Sequence, residues 1–156
     1  MGDPELMREA IRLARAGFRE GRGGPFGAVI VRGGRIVGRG CNEVLASNDP
    51  TAHAEIVAIR EASQLLGRFH LEDCELYTSC EPCPMCLGAI YWARLARVYF
   101  AATRADAGAI GFQDDVLYEE LPRPPEKRTL PMAALLRDEA VAVFEEWRAW
   151  DARRLY

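Results

Sequence analysis

The chain has 156 residues, of which 49% are hydrophobic and 28% charged, and these proportions predict one domain with a buried core. Its net charge is -3 and its pI about 5.5, so overall charge favours neither nucleic acid nor an anionic membrane as a partner. With no cleavable signal pattern and no apolar run of roughly 18 residues, the sequence predicts a cytoplasmic protein that acts on a small neutral molecule and does not bind membranes.

The N-terminal part of the chain predicts a helix followed by a β-hairpin. Asp3 and Pro4 are typical of an N-cap and a first helical position, and apolar residues recur at helical spacing until Gly21. Two apolar runs, 26–31 and 36–40, then flank a glycine turn, which is the pattern of two antiparallel strands.

A second helix is predicted over 52–66. Asp49 with Pro50, or Thr51, would open it, and Gly67 would end it, because glycine readily adopts the left-handed conformation after a helix.

The middle of the chain predicts strand, helix and strand in succession. Residues 74–79 form a short β-rich run, Pro84 starts a third helix through 94, and the apolar run 97–102 has the pattern of a strand in the buried interior of a sheet. This alternation favours an α/β fold, a three-layer α/β/α sandwich.

The remainder of the chain is less regular. An irregular stretch is expected at 106–115, a proline-rich turn at 121–128, and a last amphipathic helix from about Arg137 to Arg154.

Four residues with metal and acid-base chemistry lie at two predicted helix starts. His53 and Glu55 are two positions apart and would point in opposite directions inside a regular helix, so they can address one site only from its first turn. Pro84 likewise places Cys83 at a helix N-terminus and Cys86 in its first turn. His-x-Glu followed by Pro-Cys-x-x-Cys is the known signature of zinc nucleobase deaminases.

Three protein ligands would leave a fourth zinc position for water, as in catalytic zinc sites. We therefore expect His53, Cys83 and Cys86 to hold zinc and a zinc-bound hydroxide to attack the substrate. Glu55 would move a proton from that water to the ring and to the departing amine.

Other readings of the cysteines are open at this point. Cys80 forms a C-x-x-C pair with Cys83, which also resembles a thiol-disulfide oxidoreductase site, or Cys80 could complete a closed structural zinc site. Both readings leave Glu55 without a role. An iron-sulfur run would need a further cysteine near position 90, where the chain has Ile90.

The sequences NDPTAHAEIVAIREA and YTSCEPCPMCLGAIYWAR resemble the cytidine-deaminase-like superfamily, and within it the small bacterial guanine deaminases. GGPFGAVIV at 23–31, AIGFQDD within 108–115 and the terminal Arg-Leu-Tyr extend the resemblance along essentially the whole chain. It implies a mixed, five-stranded sheet flanked by helices. It also implies hydrolysis of guanine to xanthine and ammonia.

The same resemblance implies roles for individual residues. One zinc per subunit would be held by His53, Cys83 and Cys86, with Glu55 as proton shuttle. The implied substrate contacts are Phe26, Asn42, Ala54, Trp92, Phe112, Asp114 and Tyr156. Asn42 would hydrogen-bond the ring of the base, and Asp114 would contact its amino edge. Phe26, Trp92 and Phe112 would line the slot that holds the ring.

Family members also form dimers in which the C-terminal segment crosses to the partner. The resemblance thus implies a single domain, 1–156, in a homodimer whose segment 121–156 is swapped between subunits. Tyr156, with its ring, phenol and carboxylate, is expected to close the slot over the base.

Several of these residues also have structural interpretations. Asn42 is a common turn residue, Phe26 and Trp92 could belong to the core, and Asp114 could cap a short helix.

Related substrates stay open as well: the adenosine of a tRNA, cytosine, or an aminotriazine. The last predicted helix carries more acidic than basic residues, which disfavours a folded RNA.

Overall fold

The computed structural model describes residues 2–155, which fall into two compact units divided between Asp114 and Asp115. The elements of the first unit are α1 (Pro4–Arg19), β1 (Gly27–Arg32), β2 (Arg35–Cys41), α2 (Val44–Ser47), α3 (Ala54–Leu66), β3 (Cys74–Cys80), α4 (Pro84–Trp92), β4 (Arg97–Ala102) and α5 (Arg104–Ala109). Those of the second are α6 (Asp115–Glu120), a 3-10 turn (Pro125–Lys127) and α7 (Arg137–Ala149).

Local sequence explains the first elements. The Asp3 side chain accepts a hydrogen bond from the Glu5 N–H at 2.8 Å, which caps α1 at the proline that begins it. Gly33 and Gly34 have φ of +55° and +76°, the left-handed conformation that a tight two-residue hairpin turn requires. The predicted first helix and hairpin are confirmed.

The sheet has the strand order β2-β1-β3-β4. β1 is antiparallel to β2 and to β3, whereas β3 and β4 are parallel, so the sheet is mixed as expected. The expected strand number is wrong, because the described residues form four strands and not five. After β4 the chain turns directly into α5 through a capping box between Thr103 and Asp106.

The two faces of the sheet pack against different helices. Ala28 and Ile30 of β1 lie in a core with Ala58 and other alanines of α3, whereas the alternate residues Val29 and Val31 pack against α1. The three-layer α/β/α sandwich is therefore confirmed for the first unit.

Glycine allows α3 to approach the sheet closely. A Cβ on Gly40 of β2 would lie 2.1 Å from the Ala54 carbonyl oxygen, and one on Gly38 would lie 2.4 Å from that of Ala58. Both distances are far below van der Waals contact, so only glycine at these positions lets the start of α3 lie directly on β2.

Several predicted boundaries differ from the structure. The second helix begins at Ala54 and not at 52, since His53 is its N-cap, and the third ends at Trp92. The stretch 106–115 is not irregular throughout, because α5 occupies its first part and α6 begins at its last residue. The last helix ends at Ala149 rather than Arg154.

Strand β4 was expected in the sheet interior but lies at the edge. Phe100 is half-exposed in the single chain, although the strand is almost continuously apolar. The apolar pattern correctly predicted a strand here, but its predicted position in the sheet interior is wrong. Composition does not specify which elements pack beside a strand.

The second unit contains no buried residue in its helices. None of the described helices has the length and hydropathy of a membrane span. The predicted proline-rich turn, 121–128, begins directly after α6 and contains the 3-10 turn.

Candidate active site

Two helix N-termini bring the predicted metal ligands together. His53 is the N-cap of α3 and Cys83 the N-cap of α4, both with extended backbone and without a side-chain capping bond. Pro84 at the first position of α4 fixes where that helix begins. Cys86 lies in the first turn of α4 and is fully buried.

The distances between these side chains fit a tetrahedral metal site. His53 Nδ1 lies 3.6 Å from Cys83 Sγ and 3.5 Å from Cys86 Sγ. All three ligand atoms lie within 4.8 Å of one another. Zinc bonds of ordinary length at tetrahedral angles place a nitrogen and a sulfur ligand about 3.6 Å apart. The donor set therefore fits zinc, with three ligands and an open fourth position.

Glu55 lies beside this group but is not part of it. Its Oε2 is 3.4 Å from Cys86 Sγ, and its carboxyl group is buried against the sheet. The first turn of α3 thus places a metal ligand and a carboxyl group at one site, as the spacing predicted.

Thr78 is a neighbour of Glu55 that sequence reasoning missed. Its side chain, on β3 and 1% exposed, donates a hydrogen bond from Oγ1 to Glu55 Oε1 at 3.3 Å. A threonine inside a buried strand was the available signal, because a hydroxyl there requires a partner.

The pKa values of the side chains themselves follow from these contacts. A hydrogen bond from Cys86 lowers the pKa of Cys83 to about 4, with further help from His53, whereas donating that bond raises the pKa of Cys86. The hydrogen bond with Cys83 likewise raises the pKa of His53, and burial raises that of Glu55.

Zinc binding should therefore release protons. At pH 7 Cys83 is a thiolate while Cys86 holds its proton, so an ion bound by both must displace at least about one proton per site. Zinc affinity should then fall as pH is lowered, because protons compete for Cys86 and His53. Calorimetric titration at pH 7 in buffers of different ionisation enthalpy gives the number released. Zero protons would contradict the ligand assignment.

Cys80 is separate from the metal group. Its thiol lies 3.5 Å from the Thr103 carbonyl oxygen, and burial raises its pKa to about 11. A protonated, buried thiol is a poor nucleophile for disulfide exchange. Among residues 2–155 the group that could hold a metal contains His53, Cys83 and Cys86 without Cys80. This arrangement disfavours both the redox reading and the closed four-ligand site.

Three of the expected substrate residues lie at the loop before β1. The rings of Phe26 and Phe112 meet edge to face, with centroids 4.9 Å apart. A Cβ on Gly24 would touch both rings, and the Gly24 N–H donates to Asn42 Oδ1 at 3.2 Å. The structure therefore brings Phe26, Asn42 and Phe112 together around one loop.

The other expected substrate residues are dispersed or undescribed. Ala54 is fully buried directly after His53, at the metal group. Trp92 ends α4 and is 69% exposed, and Asp114 is half-buried at the boundary between the two units. Tyr156 lies outside the described residues.

Known proteins are similar to this chain in sequence. Residues 2–102 match the family model of the cytidine and deoxycytidylate deaminase zinc-binding region. The chain is 49% identical to a guanine deaminase from Bacillus subtilis (strain 168), over 100% of both chains. It is 41% identical to a tRNA-specific adenosine deaminase from Aquifex aeolicus, over 70% of this chain and 72% of that one.

A solved structure has the same fold as this chain. An X-ray structure of guanine deaminase from Bacillus subtilis superposes with a TM-score of 0.96, at 49% identity, and covers 100% of this chain and 99% of its own. With the helix-terminal His, Cys and Cys ligands and the carboxyl group beside them, the chain belongs to the cytidine and deoxycytidylate deaminase zinc-binding family.

Proposed function

We propose that the chain hydrolyses guanine to xanthine and ammonia. The observation that carries this proposal is the His53, Cys83 and Cys86 group with Glu55 beside it, in a chain similar along its whole length to a guanine deaminase. In this reaction water adds to C2 of the base, the bond from C2 to the exocyclic nitrogen breaks, and the nitrogen leaves as ammonia.

His53, Cys83 and Cys86 hold the zinc in this proposal. When bound, zinc supplies a Lewis acid that lowers the pKa of water at the open position. Glu55 takes one proton from the attacking water on its carboxylate and delivers it to the ring nitrogen. It then takes the second proton from the hydroxyl group formed on C2 and delivers it to the departing amine, so that C2 keeps the oxygen as a carbonyl. Its burial raises its pKa, which suits a group that must both accept and give a proton.

The base packs against aromatic side chains in this proposal. Phe26 and Phe112 contact the ring, Asn42 hydrogen-bonds its edge, and Ala54 packs beside it at the start of α3. Trp92 also lines the slot and Asp114 binds the amino edge. The edge-to-face contact of Phe26 with Phe112 supports this arrangement.

Thr78→Val should lower kcat for guanine by about 10-fold while KM and zinc content change little. The valine keeps the volume but removes the donor to Glu55, so the carboxyl group loses its fixed orientation. Steady-state kinetics with metal analysis checks this, and Thr78→Ser should restore most of kcat. An unchanged kcat in Thr78→Val would show that the hydrogen bond has no catalytic role.

We also propose a homodimer in which segment 121–156 crosses to the partner subunit, each subunit being a single domain. Large apolar side chains of the second unit are exposed in a single chain, and they include Leu117, Leu121, Phe144, Trp147 and Trp150. In the first unit the apolar edge strand β4 and the α4 residues Tyr91 and Trp92 are also exposed. A second copy would cover such surfaces at low cost.

Removing Leu155 and Tyr156 should lower kcat/KM for guanine more than Tyr156→Phe does. The single phenol hydrogen bond is worth ~1 kcal/mol, or about five-fold, whereas the deletion also removes the ring that closes the slot. Zinc content and folding should not change. Full activity of the truncated protein would exclude this role for Tyr156, and a fully active monomer in sedimentation experiments would exclude the swap.

Deamination of a tRNA adenosine is the second candidate, since the Aquifex aeolicus relative carries that name. An excess of acidic residues in α7 opposes it, because binding a folded RNA requires cationic contacts with phosphates. Ammonia release should be measured across guanine, adenine, cytosine, their nucleosides and a tRNA hairpin. Guanine should be the preferred substrate, and inosine formation in the hairpin at a comparable rate would overturn this choice.

We place the reaction in the cytoplasm.

A further inference from the structure

The loop Arg22–Gly24, before β1, is attached to the segment that follows β2. The Leu45 and Ala46 N–H groups both donate to the Arg22 carbonyl oxygen, at 3.1 and 3.0 Å, and the Arg22 guanidinium pairs with the Glu43 carboxylate. These contacts hold the loop against residues 42–46, so a substitution in it cannot be absorbed by moving the loop away.

The Asn42 side chain lies inside this junction and is 5% exposed. Two backbone N–H groups, of Gly24 and Val44, donate to its Oδ1, each at 3.2 Å. A backbone N–H can donate only to the oxygen of an amide, so these two bonds fix which way the amide faces. The remaining hydrogen-bonding group of Asn42 is Nδ2, a donor.

Gly23 and Gly24 provide the space for this arrangement. A Cβ on Gly23 would lie 2.0 Å from Asn42 Oδ1 and 2.8 Å from the Asn42 carbonyl oxygen. A Cβ on Gly24 would lie 2.9 Å from Phe112 Cζ and 3.0 Å from Phe26 Cε2. Each glycine therefore contacts residues assigned above to the base, and a methyl group on Gly23 would displace the Asn42 amide first, since a side chain moves more easily than backbone.

We propose that Gly23 and Gly24 are positioning residues that orient Asn42 Nδ2 as a hydrogen-bond donor to an acceptor atom of the base. This donor would select which edge of a purine can bind there. The inference rests on the proposed function. Guanine offers such acceptors at O6, N7 and N3. A base that presents only a donor at this point would leave Nδ2 without a partner and bind weakly.

Gly23→Ala tests the role of the loop, with Gly88→Ala as matched control. Gly88 lies in α4, and a Cβ there would meet no atom within 4 Å apart from its chain neighbours and the backbone of its own helix. Gly23→Ala should raise KM for guanine by about 10-fold or more, at unchanged zinc content, because a group aligned to the base is lost. Gly88→Ala should retain the KM of the unmodified protein. Equal KM values for both variants would overturn the proposal.

Asn42→Asp tests the donor separately and does not depend on the glycine variant folding. The aspartate keeps an oxygen for the Gly24 and Val44 N–H groups but replaces Nδ2 by a second acceptor. In the Glu55→Ala background, which separates binding from turnover, Asn42→Asp should weaken calorimetric guanine binding by about 10-fold or more. Unchanged binding would mean that Asn42 only anchors the loop, which contradicts the proposal.

The two levels of inference fail differently. If the unmodified protein and Gly88→Ala neither bind nor turn over guanine, the proposed function itself is wrong. If both do so while Gly23→Ala and Asn42→Asp match them, only the positioning role is wrong.

Discussion

Replacing Glu55 by alanine is expected to lower kcat for guanine by at least ~100-fold while the protein still binds one zinc per chain. General acid-base catalysis contributes on this scale, and the Glu55 carboxyl group lies beside the metal group without belonging to it. Glu55 Oε2 lies near Cys86 Sγ, but zinc has its three ligands without it. Steady-state kinetics together with metal analysis of the purified variant checks both parts.

Glu55→Gln is the matched variant, because it keeps the size of the side chain and the acceptor for Thr78 Oγ1 but cannot exchange a proton. It should lose kcat to a similar extent. A Glu55→Ala protein that lost its zinc would show that Glu55 is a ligand, and one that kept full activity would remove its role as proton shuttle.

Replacing Cys86 by serine is expected to abolish stable zinc binding and, with it, guanine turnover. The thiolate is a ligand that a neutral hydroxyl does not replace, and Cys86 is fully buried next to His53 Nδ1. Cys80→Ser is the control: another cysteine of the same sequence run, also buried, whose thiol lies at the Thr103 carbonyl oxygen.

The control should keep one zinc per chain and most of the activity. Metal content by mass spectrometry of the native protein and kcat for guanine distinguish the two variants. A metal-free Cys80→Ser protein would restore the closed four-ligand site, and a fully metallated, active Cys86→Ser protein would contradict the ligand set.

The metal group was predictable because its determinants are local. Pro84 fixes the start of α4 and thereby the positions of Cys83 and Cys86, and the two-residue spacing of His53 and Glu55 requires a helix start between them. Only the proximity of the two helix starts is a tertiary property. The residue types at those starts, which are zinc ligands and a carboxyl group, indicated that they share one site.

The features that escaped prediction depend on distant contacts. Thr78 reaches Glu55 across 23 positions, and nothing local to either residue specifies the pair. The edge position of β4 depends on how many strands the chain supplies, which strand-like composition does not determine. Likewise, the sequence around Gly23 indicates only a loop, and its close approach to Asn42 is visible only in the structure.

The helix boundaries show a related limit. Asp49 and Thr51 look like helix starters, yet the Asp49 side chain accepts bonds from both the N–H and the hydroxyl of Thr51, at 2.8 and 2.7 Å, in a turn before the helix. α5 went unpredicted because the helix that begins at this capping box, Thr103 with Asp106, is short and contains a glycine.

The central claim is that zinc held by His53, Cys83 and Cys86 supports hydrolysis of guanine. The most direct test is to incubate the purified protein with guanine and to quantify xanthine and ammonia together, before metal removal, after chelation and after zinc is restored. We predict equimolar xanthine and ammonia, loss of both on chelation and recovery with about one zinc per chain. Turnover that persists at full rate in the chelated protein, or no xanthine from the zinc-loaded one, would contradict the account.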